Sequence, residues 1–96
     1  MFRSQVFPVY YIAKNHKTCL SNVQLLVRKP DYSIEGLFAM TEFDPVNHKG
    51  IYTYDYSPVD LGTYLFSVFE NSTWKYSAHE ICEDIPVAVS PIMEFN

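Results

Sequence analysis

Ile51-Tyr52-Thr53-Tyr54-Asp55-Tyr56, the turn Ser57-Pro58-Val59-Asp60-Leu61-Gly62, and then Thr63-Tyr64-Leu65-Phe66-Ser67-Val68-Phe69-Glu70 form the stretch that decides the fold class. Side chains alternate between faces along a strand, so Tyr52, Tyr54 and Tyr56 share one side of the first run while Ile51, Thr53 and Asp55 share the other. In the second run Tyr64, Phe66 and Val68 oppose Leu65, Ser67 and Phe69. A helix would need apolar residues at i, i+3, i+4 and i+7 over ten or more positions, and no segment of the chain supplies them. The period is two, and the Pro and Gly between the runs mark a turn.

Working outward, the short polar Asn71-Ser72-Thr73 predicts a hairpin from the second run into Trp74–Cys82. The last run, Ile85–Val89, carries Pro86 and is followed by Pro91; proline lacks the N–H a ladder needs, so this run belongs at a sheet edge or outside the sheet. Upstream, the polar stretch Asp44–Gly50 reads as a loop. Before it, Ile34–Glu42 places Leu37 and Ala39 on one face and Phe38 and Met40 on the other, which leaves its inward side open. Lys29–Ser33 is a turn, and Asn22–Arg28 puts Val23, Leu25 and Val27 on one face. Lys14–Thr18 is a loop, and Gln5–Ala13 is a first run interrupted by Pro8, hence a second edge. Seven short runs with frequent turns predict an all-β domain, an immunoglobulin-like Greek-key β-sandwich, with a small β-barrel as the alternative. Residues 1–96 form one domain on this reading, with 90–96 as a candidate C-terminal arm.

Length and composition agree with a single core. A chain of 96 residues that is 48% hydrophobic and 19% charged is too apolar to stay disordered. Eight Tyr, seven Phe and one Trp are more ring than a domain of this size can hide, so some must lie at the surface, where aromatics are contact residues. The net charge is −4 and the seven Lys and Arg are scattered, which argues against nucleic acid as a partner. No apolar run approaches the ~20 residues that span a bilayer, and Met1–Gln5 lacks an apolar signal core. The expectation is therefore no membrane partner, synthesis in a host cytoplasm, and reduced thiols at Cys19 and Cys82.

The stretch Phe38–Phe69 resembles the second half of the immunoglobulin-like or transthyretin-like accessory domains of bacteriophage virion proteins and bacterial surface proteins. The matching residues are Thr41 and Glu42 at a strand end, Gly50 with Tyr52, and Gly62, Thr63 and Tyr64. Leu20-Ser21-Asn22-Val23 and Arg28-Lys29-Pro30-Asp31 are similar to the entry and exit of that family's opening strands. At Gly50 and Gly62 the physical content is structural: glycine permits φ > 0 and close backbone approach. The Tyr two residues on packs its ring and keeps its hydroxyl for a backbone group. The resemblance implies a structural or accessory component of a virus particle, present in several copies and bound to capsid, portal, neck or tail proteins. Unlike the multi-domain settings of such modules, the chain reads as a whole gene product.

No constellation of residues argues for catalysis or a cofactor. His16, His48 and His79 lack metal-ligand spacing, and His79 and Glu80 point to opposite faces of their strand. No second signature residue near Cys19 supports a thiol nucleophile. Glu42, Asp44, Asp55 and Asp60 lack the dense alternation of a calcium loop and the cleft of a glycosidase, and read as turn and strand-edge residues. Two readings of Tyr52, Tyr54 and Tyr56 stand at this point: one side of the core, or a contact face. With Trp74 they form the candidate interface, or the stacking platform of a carbohydrate-binding or adhesin module, which is the alternative function. The tail carries Ile92, Met93 and Phe95, and leaving such side chains in water forgoes roughly 1.5–3 kcal/mol each. It is expected to dock on a neighbouring subunit or on the particle shell.

Overall fold

The computed structural model of the chain describes residues 1–84, which fold as two antiparallel sheets with a shared core. In chain order the strands are β1 (Phe7–Ile12), β2 (Val23–Arg28), β3 (Ile34–Ala39), β4 (Thr41–Asp44), β5 (His48–Tyr56), β6 (Gly62–Glu70) and β7 (Thr73–Cys82), with one short 3-10 turn at Lys14–His16. One sheet runs β1-β5-β4 and the other β3-β2-β6-β7. Alternation places Val9, Tyr11, Tyr52 and Tyr56 of the first against Leu25, Val27, Tyr64, Phe66 and Val68 of the second. Rings meet across the layers, Tyr56 standing edge-on to Phe66 at 5.5 Å and to Tyr64 at 5.9 Å. Among the described residues no helix is long and apolar enough to cross a membrane.

The strand order is that of an immunoglobulin-like sandwich. In that arrangement one sheet reads A-B-E-D and the other C′-C-F-G. Here β1, β5 and β4 stand at B, E and D, and β3, β2, β6 and β7 at C′, C, F and G; among the described residues no strand occupies the A place beside β1. The fold's tyrosine corner is present as well. Tyr64, two residues into β6, accepts the Asp60 N–H at 3.0 Å and donates to the Asp60 carbonyl at 2.8 Å. Gly50 and Gly62 have φ of +79° and +126°, and a Cβ there would run into the His16 backbone and the Pro30 ring respectively. Both glycines therefore serve as the sequence predicts.

Two expectations need correction. The run Ile34–Glu42 is two strands: the chain leaves the four-stranded sheet as β3, passes through buried Met40, and joins the three-stranded sheet as β4. Met40 is held at the crossing by its N–H, which donates to the Val23 carbonyl at 2.9 Å. The seven strands are thus not the seven predicted runs, because Ile85–Val89, with Pro86 and Pro91, lies outside the described residues. The loop Asp44–Gly50 is also tighter than expected. Asp44 Oδ1 accepts the N–H groups of Val46 and Asn47, each at 3.1 Å, so Pro45–Asn47 suffices to turn the chain and His48 already belongs to β5.

Strand registers define two ends of the sandwich. The Gly62 end holds residues 1–6, the β2–β3 turn, the β5–β6 turn and Cys82, which pairs with Gly62. The Glu70 end holds the β1–β2, β4–β5 and β6–β7 connections, the first and last of them tied where the Asn71 N–H donates to the Asn22 carbonyl. Exposed Cys19 lies at the second end and buried Cys82 at the first. The nine residues of β6 separate them by about 30 Å, far beyond the ~7 Å between Cα atoms that a disulfide tolerates. Among the described residues β1 is a sheet edge, as Pro8 predicts, and so are β4, β3 and β7.

Candidate functional site

The tyrosine ladder of β5 faces the core. Tyr52 is 1% exposed and Tyr56 6%, while Tyr54 is half-buried with its ring stacked on Phe38 at 4.7 Å. As a contact face this set is therefore corrected: the alternation marked the buried side, and the polar ends of the rings are used inside. Tyr52 Oη accepts the Leu20 N–H at 3.0 Å and donates to the Lys17 carbonyl at 2.8 Å, fixing the long β1–β2 connection. Tyr56 donates to the Glu35 carboxylate at 2.5 Å, and Tyr11 donates to Glu70. Burial first, and then the adjoining carboxylates, push the ionisation of Tyr11 and Tyr56 well above the ordinary phenol range. The phenols stay neutral donors.

Glu42 fastens the Glu70 end. Its carboxylate accepts from Gly50 N–H at 2.8 Å, from the Thr18 hydroxyl at 2.6 Å and from Cys19 N–H at 3.0 Å, and these bonds hold it below the usual carboxylate range. Among the described residues, no three His, Cys, Asp or Glu side chains gather as a metal-ligand set.

Accessible apolar chemistry collects instead along β1 and β7. In the β6–β7 ladder Tyr76, Ala78 and Glu80 lie opposite Val68, Phe66 and Tyr64, so all six share the inward face of the sheet. Val68, Phe66 and Tyr64 are buried, yet Tyr76 is 53% exposed, because among the described residues the three-stranded sheet stops at β1 and no strand lies opposite β7. The result is a groove between the two edges. Phe7, Val9, Phe66, Val68, Tyr76 and Ala78 line a cleft of about 260 Å³ toward the Gly62 end. Toward the Glu70 end a second cleft of about 550 Å³, which shares Tyr76, has Lys14, Lys17, Lys75 and Glu70 at its wide mouth.

Trp74 is exposed, as an interface residue should be, but it lies apart from the ladder. Its indole N–H donates to Ser77 Oγ at 2.7 Å, and Ser77 in turn bonds Ser67 Oγ at 2.8 Å on the outer face of the four-stranded sheet. On the outer face of the other sheet Tyr10 meets Phe43 edge-on at 6.1 Å, both more than half exposed. The remaining candidates, Ile92, Met93 and Phe95, lie outside the described residues. Tyr10, Ile12 and Tyr76 are absent from the sequence-level candidates, although the apolar character of both faces of Val9–Ile12 signals that β1 cannot bury all it carries. Comparison with family models, curated proteins and solved structures finds no match for this chain.

Proposed function

We propose that this chain is a protein-binding module, an accessory structural component of a bacteriophage particle that docks on capsid, neck or tail proteins in several copies. One observation carries the protein-binding part: among the described residues the inward face of β7 is uncovered and the neighbouring edge of β1 is unpaired. Such a groove offers backbone groups for strand addition and apolar side chains for specificity, a recurring way to hold an extended polypeptide. The particle context rests on the residues around Gly50-x-Tyr52 and Gly62-Thr63-Tyr64 that resemble virion accessory domains. No catalytic role enters this reading.

The test is assembly with a blocked groove. Ala78→Arg and Tyr76→Asp should leave the circular dichroism spectrum of a β protein intact and cut incorporation into particles at least tenfold. Normal copy number in particles built with both variants would overturn the reading. A second reading, binding of a carbohydrate, is favoured by Trp74, whose N–H is already bonded and whose ring is 58% exposed for stacking. A saturable change in Trp74 fluorescence on titrating an oligosaccharide would support it, and a flat titration would remove it.

A further inference from the structure

We infer that the groove between β1 and β7 receives a β-strand from a second copy of this chain, namely that copy's residues 85–96, added along the free edge of β1. The inference rests on the protein-binding reading above and names its partner.

The edge is prepared for addition. The Ala13 N–H donates to the Gly50 carbonyl of the β5 strand, at 2.8 Å, and β1 pairs with β5 residue for residue without a bulge. Backbone groups alternate in direction along a strand, so those of Val9 and Tyr11 also face β5, while those of Tyr10 and Ile12 point outward. Pro8 has no N–H to offer, which leaves the two outward pairs of β1 at Tyr10 and Ile12. This is the place of the immunoglobulin A strand.

The sequence outside the described residues has the matching character. Ile85, Val87 and Val89 alternate with Pro86, Ala88 and Ser90, so a strand made of them has one apolar side for the cleft. The only charged residue in 85–96 is Glu94, opposite in sign to Lys14, Lys17 and Lys75 at the wide mouth. Extended, the segment reaches about 40 Å, against about 20 Å for the six residues of β1.

The donor is a second copy because the chain's own return path is taken. Met1 N–H donates to the Ile81 carbonyl, Glu83 N–H to Met1 and Arg3 N–H to Glu83, each at 2.9 Å. Residues 1–3 thus occupy the outer edge of β7 on which a hairpin return after Asp84 would pair, and Arg3 holds Asp84 itself in an ion pair at 2.5 Å. Residues 4–6 then cross to β1, with the Ser4 N–H on the Pro58 carbonyl at 2.6 Å.

The full-length chain tests this. Sedimentation velocity should give a mass that rises with concentration to at least twice that of the monomer. The donor variant Val87→Asp/Val89→Asp and the groove variant Ala78→Arg should each stay monomeric, and their mixture should form a one-to-one pair and nothing larger, since each retains the half the other lacks. If the donor variant associates like the wild type while the groove variant does not, strand donation is overturned and the protein-binding reading stands. If the groove variant also associates normally, or the wild type stays monomeric, strand donation is overturned, and particle incorporation decides the protein-binding reading separately. A readout that leaves the groove untouched is Phe95→Cys, oxidised with copper–phenanthroline, because exposed Cys19 lies two residues from Lys17 at the wide mouth. A disulfide-linked dimer that disappears on Cys19→Ser is the expected result; a cross-linked monomer, or none, would overturn the inference.

Discussion

Tyr10 and Tyr11 are neighbours on β1, yet the first is 52% exposed and the second 8%. The whole molecule divides the same way. Tyr11, Tyr52, Tyr56 and Tyr64 turn inward and each hydroxyl reaches a partner in the protein, whereas Tyr10, Phe43, Trp74 and Tyr76 turn outward or into the open groove. Aromatic content alone does not separate core from contact surface in a two-layer sandwich. What separates them is whether a second sheet lies opposite and whether the polar tip of the ring has somewhere to go.

The largest expected effect comes from deleting an inward ring. Tyr52→Ala should cost about 3–5 kcal/mol in urea denaturation, through the cavity and the stranded Leu20 N–H, while Tyr76→Ala should stay within about 0.5 kcal/mol. Equal losses would break the division. Tyr64→Phe keeps the ring and removes only the corner, so a loss of about 1–3 kcal/mol is expected from two hydrogen bonds to Asp60. Tyr10→Phe should be silent in the same assay.

Ionisation sharpens the comparison further. Burial raises the folded-state values of Tyr11, Tyr52, Tyr56 and Tyr64 above that of an unfolded phenol. Their contribution is therefore complete below about pH 10 and is lost as pH rises through the raised values. Absorbance at 295 nm should show these four titrating only as the sandwich opens. The smallest effect belongs to Glu42, whose folded-state value is lowered by Gly50, Thr18 and Cys19. The stability difference between Glu42→Gln and the wild type should be present above about pH 4.3 and shrink as pH falls through that lowered value.

Much of this was legible in the sequence. Period-two alternation located β1, β2, β3, β6, β7 and most of β5, but neither β4 nor the first residues of β5, and the glycine-x-tyrosine spacing marked both hydroxyl anchors at Tyr52 and Tyr64. The side to which the β5 ladder turned was not legible, because Ile51 on its other face is itself half-buried. The break at Met40 was hidden for a related reason. Ile34–Glu42 is apolar on both faces, and only the Val23 carbonyl and the second sheet decide where it changes layers. The groove was invisible too, since alternation in Trp74–Cys82 says which residues share a face and nothing of whether a strand stands opposite.

The crossing at Met40 has a bearing on how the domain opens. β3 and β4 are edges of different sheets yet one uninterrupted length of backbone, with Met40 as the only residue between them. Amide protons of the two strands should then share a common exchange rate, because fraying that lifts Ala39 from Gln24 pulls at the same time on Thr41 against Thr53. The sheets lack independent edges on this side, and the lowest-energy opening of the sandwich is expected to peel both layers in a single event.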